Sequence, residues 1–289
     1  MKRSIFFFFS LFMFSVTYAQ TVEEKIAVKA CECLEMVVQA TNDTIRDCVI
    51  KSVVNGMEEY KAEMPKDIYT VEGMRRIAGA VTDLLPETCR TVKRKKYEAK
   101  KEKFYSDSKV AMANNYYITA TDMMQSKKYD LAIEGFKVAI KLDSSFVKAY
   151  DHLAICYRSQ LDYTNAIKYY DASLRIFPEG DLAMMNLGVI YTLKEDNDRA
   201  LFYYNKMIDI NPENPEGYFG AAKIYLLRDE YEKALSNAFT AHLIYVSEKS
   251  DYKADSEKLI KLMYTKMKEA KQLGLFKQIA KQYHININD

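Results

Sequence analysis

The chain has 289 residues, with 42 Lys and Arg against 40 Asp and Glu, and it is rich in Tyr (23) but poor in Gly (9) and Pro (5). So small a net charge argues against a nucleic-acid partner, since that binding rests on neutralising phosphates with cations. Scarce turn formers beside abundant Tyr, Lys, Ala and Leu favour helices over a turn-rich sheet protein, and the length allows one large domain or two ordinary ones.

The first element is a leader. Lys2 and Arg3 precede an almost wholly apolar run from Ile5 to Val16, and Thr17 and Ala19 put small residues at −3 and −1 of a cleavage point after Ala19. That order predicts a signal peptide over residues 1–19. The apolar run is about twelve residues, short of the roughly 20 that a membrane span needs, and no Cys lies near to accept a lipid. Removal of the leader leaves 40 residues of each charge. The expectation is an exported chain, periplasmic or secreted, with no stable membrane insertion.

Residues 20–105 read as an N-terminal helical segment. Helices are expected over 22–40, 44–60 and 68–85, with turns at 41–43 and 63–67. Pro86 should break or kink the chain before a last helix to Tyr105. Residues 106–112 read as a linker, in which Ser106-Asp107-Ser108 offers a helix cap. Asn42-Asp43-Thr44 is a glycosylation sequon on a turn. The run 93–103 holds seven basic and two acidic residues. It is either a solvated helix face or an electrostatic patch for anionic lipid, glycan or acidic peptide.

Four of the five cysteines, at 31, 33, 48 and 89, lie in this segment, and an even number in an exported chain suggests disulfides. Zinc is a poor fit, because the spacing is not that of separated C-x₂-C pairs and the segment has no His. Thioredoxin-like chemistry wants C-x-x-C at a helix start in an α/β setting. Cys31 and Cys33 stand about 200° apart on a helix, at the two margins of the face formed by Ile26, Ala27, Ala30, Leu34, Val37 and Val38. One helix could thus be bolted to two neighbours. Cys33 and Cys48 are at comparable distances from the 41–43 turn and are expected to pair, which leaves Cys31 for Cys89. Three connectivities exist for four cysteines, and a redox use of these thiols is the competing reading.

From residue 113 the chain repeats every 34 residues without gaps. Residues 147–180 and 181–214 align Leu153 with Leu187, Ala154 with Gly188, Tyr157 with Tyr191, Ala166 with Ala200, Tyr170 with Tyr204 and Pro178 with Pro212. Residues 113–146 share Tyr116, Ala120, Ala132, Phe136 and Ala139 with this pattern, and 215–248 share Tyr218, Ala222, Tyr225, Ala234 and Ala241. In each copy, apolar residues at positions 4, 7, 8 and 11 fall on one helical face, and positions 20, 24 and 27 fall on one face of a second helix. One hairpin cannot bury its face alone, so neighbours must stack. Residues 249–289 continue with amphipathic stretches, read as capping helices.

The four copies resemble the tetratricopeptide repeat (TPR) family, whose pattern wants aromatics at positions 4, 11 and 24, small residues at 8, 20 and 27, and Pro at 32. The edge copies depart from it, with Met123 at position 11 of the first copy, and Ser144 and Val246 at position 32 of the first and fourth. The resemblance implies an all-α TPR-type α-solenoid of four repeats (113–146, 147–180, 181–214 and 215–248) with a C-terminal cap, preceded by the small disulfide-containing segment. It also implies that each copy's first helix lines a peptide-binding groove.

Positions 2, 5, 9 and 12 lie opposite the buried face of that helix. They are Asn114, Tyr117, Thr121 and Met124, then Lys148, Asp151, Ile155 and Arg158, then Leu182, Met185, Val189 and Thr192, then Glu216, Phe219, Lys223 and Leu226. Leu182, Met185 and Val189 are apolar where water would be expected. Such a strip marks either a partner's docking surface or something already covering it, here the chain's own N-terminal segment. The clamp with which some TPR proteins hold acidic chain ends is missing, since His152, Leu182 and Asn186 stand where its residues would. His152 and Cys156 share a helix side, but they sit where such helices pack. No catalytic residue, cofactor or metal ligand is expected. The sequence therefore points to an adaptor for a protein or peptide partner, with an envelope thiol–disulfide protein or a structural subunit of an envelope assembly as alternatives.

Overall fold

The computed structural model describes residues 20–36 and 41–285. The expected leader lies outside them, as do Val37 and Val38. The described residues are helical throughout, without a strand, and the chain divides into two compact units, residues 1–89 and 90–289.

In the first unit, α1 (Val22–Glu35), α2 (Asn42–Glu59) and α3 (Val71–Thr88) are joined by a 3₁₀ turn over Lys66–Tyr69. Thr21, Thr41 and Thr70 start the three helices, each side-chain oxygen accepting a backbone N–H. Thr21 closes a capping box with Glu24, so two otherwise unpaired donors are satisfied reciprocally. α1 packs on both neighbours through Ile26, Ala27, Ala30 and Leu34, all fully buried, and Val53, Ile77, Val81 and Leu85 are buried in the same unit. Disulfides join Cys33 to Cys48, with Cα atoms 5.7 Å apart, and Cys31 to Cys89, 5.2 Å apart. Below roughly 70 residues an apolar core supplies little stability, and such staples add to it.

Two expectations need correction here. α3 runs through Pro86 to Thr88 and ends at Cys89, whose backbone is extended, so the proline sits in the last turn and the chain breaks just after it. The boundary between segments also moves, from 105 to 89. The last predicted helix, α4 (Arg90–Phe104), belongs to the second unit.

That unit continues with five helix hairpins. They are α5/α6 (Ala111–Gln125, Tyr129–Leu142), α7/α8 (Val147–Ser159, Tyr163–Ile176), α9/α10 (Asp181–Leu193, Asn197–Ile210), α11/α12 (Pro215–Leu227, Tyr231–Ser247) and α13/α14 (Lys253–Glu269, Leu273–Gln282). α12 has 17 residues where α6, α8 and α10 have 14, which throws the last hairpin out of the 34-residue phase. It still caps the stack, with Leu259, Met263, Met267, Phe276 and Ile279 packed on Leu235 and Phe239.

Each hairpin of the four copies turns in the same way. Lys127, Leu161, Glu195 and Asp229, all at repeat position 15, take φ between 56° and 61°. The next N–H bonds back to the carbonyl of position 11, at 2.8 to 2.9 Å. This is the Schellman closure of a helix end, made here without the glycine that usually supplies it. Between copies, the Tyr204 ring is clamped by two glycines. A Cβ on Gly188 would lie 2.6 Å from it, and one on Gly220 would lie closer still. Tyr157 stacks on Tyr169 and Tyr191 on Tyr203, with centroids 5.5 and 5.7 Å apart.

Asn115, Thr119 and Asp122 of the first copy are exposed at positions 3, 7 and 10, where the next copy buries Ala149, Leu153 and Cys156, although Met112, Tyr116 and Ile118 of the same helix are exposed as well. Polar residues at those three positions suit a terminal repeat, whose outer face meets water.

Candidate interaction surface

The groove positions sort into two sets. Positions 2 and 5 of the first three copies are largely taken by the chain itself. Asn114 donates to the Ser108 carbonyl at 2.7 Å and accepts its N–H at 3.0 Å, and Lys148 pairs with Asp107 at 2.8 Å. Asp151 accepts the Tyr105 hydroxyl at 2.9 Å. The Tyr117 ring packs among Phe136, Phe146 and His152. Leu182 and Met185 line a cavity of about 210 Å³ together with Lys101, Tyr105, Asp181, Met207 and Asn214.

Positions 9 and 12 of the same copies stay half-buried. Met124, Ile155, Arg158 and Val189 are in that state, as are Thr121 and Thr192, whose hydroxyls bond back to their own helices. In copy four, Lys223 is exposed, whereas Phe219 and Leu226 belong to the cap's core and Glu216 accepts the Tyr245 hydroxyl at 2.7 Å. The cap draws Phe219 and Leu226 away from the groove, since the last hairpin needs an apolar seat, and Glu216 is held by α12 of its own copy.

The segment that covers the groove is α4 with its linker. Tyr97 is buried against Val147 and Phe177, and Phe104 stacks on Phe177 at 5.3 Å. Arg94 pairs with Glu213, Lys100 with Glu179 and Lys101 with Asp181. Part of the basic run is thus neutralised by the repeats, which is neither the solvated face nor the free patch expected from sequence. Tyr97, Tyr105, Phe177, Glu179 and Glu213 are not marked by the repeat pattern. The available signal was two acids 34 residues apart facing a basic helix.

Burial sets the electrostatics. Asp151 is fully buried, and loss of solvation pushes its carboxyl up to about 7, against the bond from Tyr105 and with the help of nearby Asp181. Burial pushes His152 down to about 4 and the Cys156 thiol up to about 12. This pair is a neutral imidazole and a protonated thiol, poor material for nucleophilic chemistry. Among the described residues, no three His, Cys, Asp or Glu come together as a metal cradle, and no helix is long and apolar enough to cross a membrane.

Helix hairpins stacked at a 34-residue period define a repeat solenoid, a class of protein-interaction scaffold. The tetratricopeptide repeat family model matches residues 145–213, and the chain carries tetratricopeptide repeats. Among solved structures, the chain is similar to the C-terminal part of a TPR repeat-containing protein from Cytophaga hutchinsonii, at 16% identity over 81% of this chain and 93% of that one, with a TM-score of 0.47. MamA from Desulfovibrio magneticus RS-1 matches at 13% identity over 55% of this chain and 97% of that one, with a TM-score of 0.43. BtubC from P. vanneervenii matches at 18% over 73% and 93%, with a TM-score of 0.45. No curated protein matches in sequence.

Proposed function

We infer that the protein is an exported adaptor that holds a protein or peptide partner on the groove face of its repeats. One observation carries this reading: Leu182 and Met185, apolar at groove positions, line a cavity of about 210 Å³ together with Lys101, Tyr105, Asp181, Met207 and Asn214. An apolar side chain of a partner fits there, while Lys101, Asp181 and Asn214 supply polar groups to orient its backbone. Such sites work by an apolar anchor with a few placed polar groups. Export is supported by the leader-like start and by two disulfides in the first unit, bonds that persist in oxidising compartments.

The test is affinity purification of the protein with crosslinking in cells, comparing the wild type with Met185→Glu and Val189→Glu. Either change should remove the crosslinked partner while helicity stays as it was, and Val189→Glu is the arm expected to keep the melting temperature, because Met185 also packs against the core of the repeats. Retention of the partner by both variants would move the interaction off this face. Phe219→Ala is unsuited to this test, because Phe219 supports the cap. Envelope redox chemistry makes a different demand: Cys31 or Cys33 should then be alkylated rapidly after mild reduction and turn over a thiol substrate.

A further inference from the structure

The contacts of α4 follow the period of the array. Of its fifteen residues only Tyr97 is buried, and around it Phe104 stacks on Phe177 while three ion pairs reach the repeats. Glu179 and Glu213 occupy the same repeat position, 33, one copy apart, and their partners Lys100 and Arg94 are six residues apart in α4. Six helical residues span about 9 Å, within the roughly 8–10 Å that separates packed helices. Position 33 is Ser145 in the first copy and Ser247 in the fourth, so the acids mark out copies two and three alone.

Arg94, Tyr97, Lys101 and Phe104 fall at i, i+3, i+7 and i+10, a single stripe along the helix. Tyr97 drops its ring into the socket of Val147 and Phe177, between the flanking charges. The seat is nonetheless incompletely satisfied. The Tyr97 hydroxyl is buried beside Asp181 without a formed hydrogen bond, a penalty on the docked state. The ion pairs are partly exposed and add little.

The geometry points to a seat that reads, in trans, a basic amphipathic helix of a partner protein: a cation, an aromatic three residues on, cations three and four residues after that, then a second aromatic. α4 is the resident competitor. This inference rests on the interaction function proposed above and names the partner's chemistry, but it uses the corner acids rather than positions 9 and 12. A partner helix that also satisfies the Tyr97 environment displaces α4, whereas one without the stripe does not.

The probe is a fluorescent synthetic peptide of residues 90–105, titrated by anisotropy against the full chain. Tethered α4 competes at an effective concentration on the order of millimolar, so the wild type binds the peptide weakly. Lys100→Glu with Lys101→Glu in the chain unseats α4 and should tighten peptide binding by roughly tenfold or more. Adding Glu179→Lys and Glu213→Lys to that chain should abolish the gain. A peptide with alanine for Tyr97 and Lys101 should bind the wild type roughly tenfold more weakly, a comparison that needs no altered chain. Val189→Glu, which disables the groove face, should leave all of this unchanged. The inference fails if the unseated chain binds no tighter than wild type, if the acid reversals have no effect, or if the alanine peptide matches its parent.

Discussion

Replacing Asp151 with Asn tests the electrostatics of the covered groove. The carboxyl is fully buried and accepts the Tyr105 hydroxyl, and burial raises it from an ordinary 3.8 to about 7. The folded chain therefore keeps a proton that the unfolded chain releases between about pH 4 and 7. A raised folded value means that stability is fully present below the lower figure and is lost as pH rises through the upper one. Three units at about 1.4 kcal/mol each set a ceiling of about 4 kcal/mol at neutral pH. Asn keeps an acceptor for Tyr105, cannot ionise, and presents an amide that can donate toward Ser173, whose buried hydroxyl has no partner. Denaturant melts followed by far-ultraviolet circular dichroism should give equal stabilities for the two proteins near pH 3.5. The Asn variant should then gain steadily, by a few kcal/mol at pH 7.5. His152 acts with the opposite sign, because burial lowers it to about 4, but it is present in both proteins and cancels on subtraction. A difference curve flat from pH 4 to 7 would refute the reasoning.

Two other predictions concern the architecture. Gly188→Ala drives a Cβ to 2.6 Å from a Tyr204 ring that Gly220 also approaches closely, so overpacking of about 1–3 kcal/mol should outweigh the gain in helix propensity and lower the melting midpoint. Gly79→Ala, in the middle of α3 with nothing within 4 Å of its new methyl, should instead stabilise the first unit by about 0.5–1 kcal/mol. Leu161 is 71% exposed and holds φ of 61°. Leu161→Gly should therefore raise stability by about 1 kcal/mol in chemical melts, because so exposed a side chain gives up little burial.

The repeat was legible because its cause is local. Residues that recur every 34 positions with helical spacing have few ways to be buried, and the hairpins formed where that spacing placed them. Cysteine positions were informative for a similar reason, since Cys31 and Cys33 point to opposite flanks of α1. What stayed hidden was what depends on a second partner in space. Phe219 and Leu226 sit at groove phase, yet the final hairpin claims them, and no periodicity within copy four reveals that demand. α4 was assigned to the wrong unit because its basic residues, taken alone, suit water as well as they suit acids. Its seat is made from positions 31, 33 and 1, the corner between copies, which helix periodicity treats as loop. The left-handed residue at position 15 was equally invisible, as Lys, Leu, Glu and Asp carry no glycine-like signature.

The two candidate faces are not independent. Lys101 and Tyr105 line the cavity with Leu182 and Met185, while Lys101 also pairs with Asp181 and Tyr105 anchors Asp151. A ligand whose apolar side chain fills the cavity and leaves those two residues in place stabilises the seated α4. A helix that displaces α4 removes one wall of the cavity, and with it part of that ligand's binding site. Linkage then requires the reverse effect with the same magnitude: whatever occupies the cavity must weaken binding of the helix by the factor by which the helix weakens its own. An adaptor of this construction would hold one partner or the other on copies two and three. Its choice would be set by how firmly Tyr105 stays on Asp151, a hydrogen bond that Tyr105→Phe removes and the Asn variant keeps.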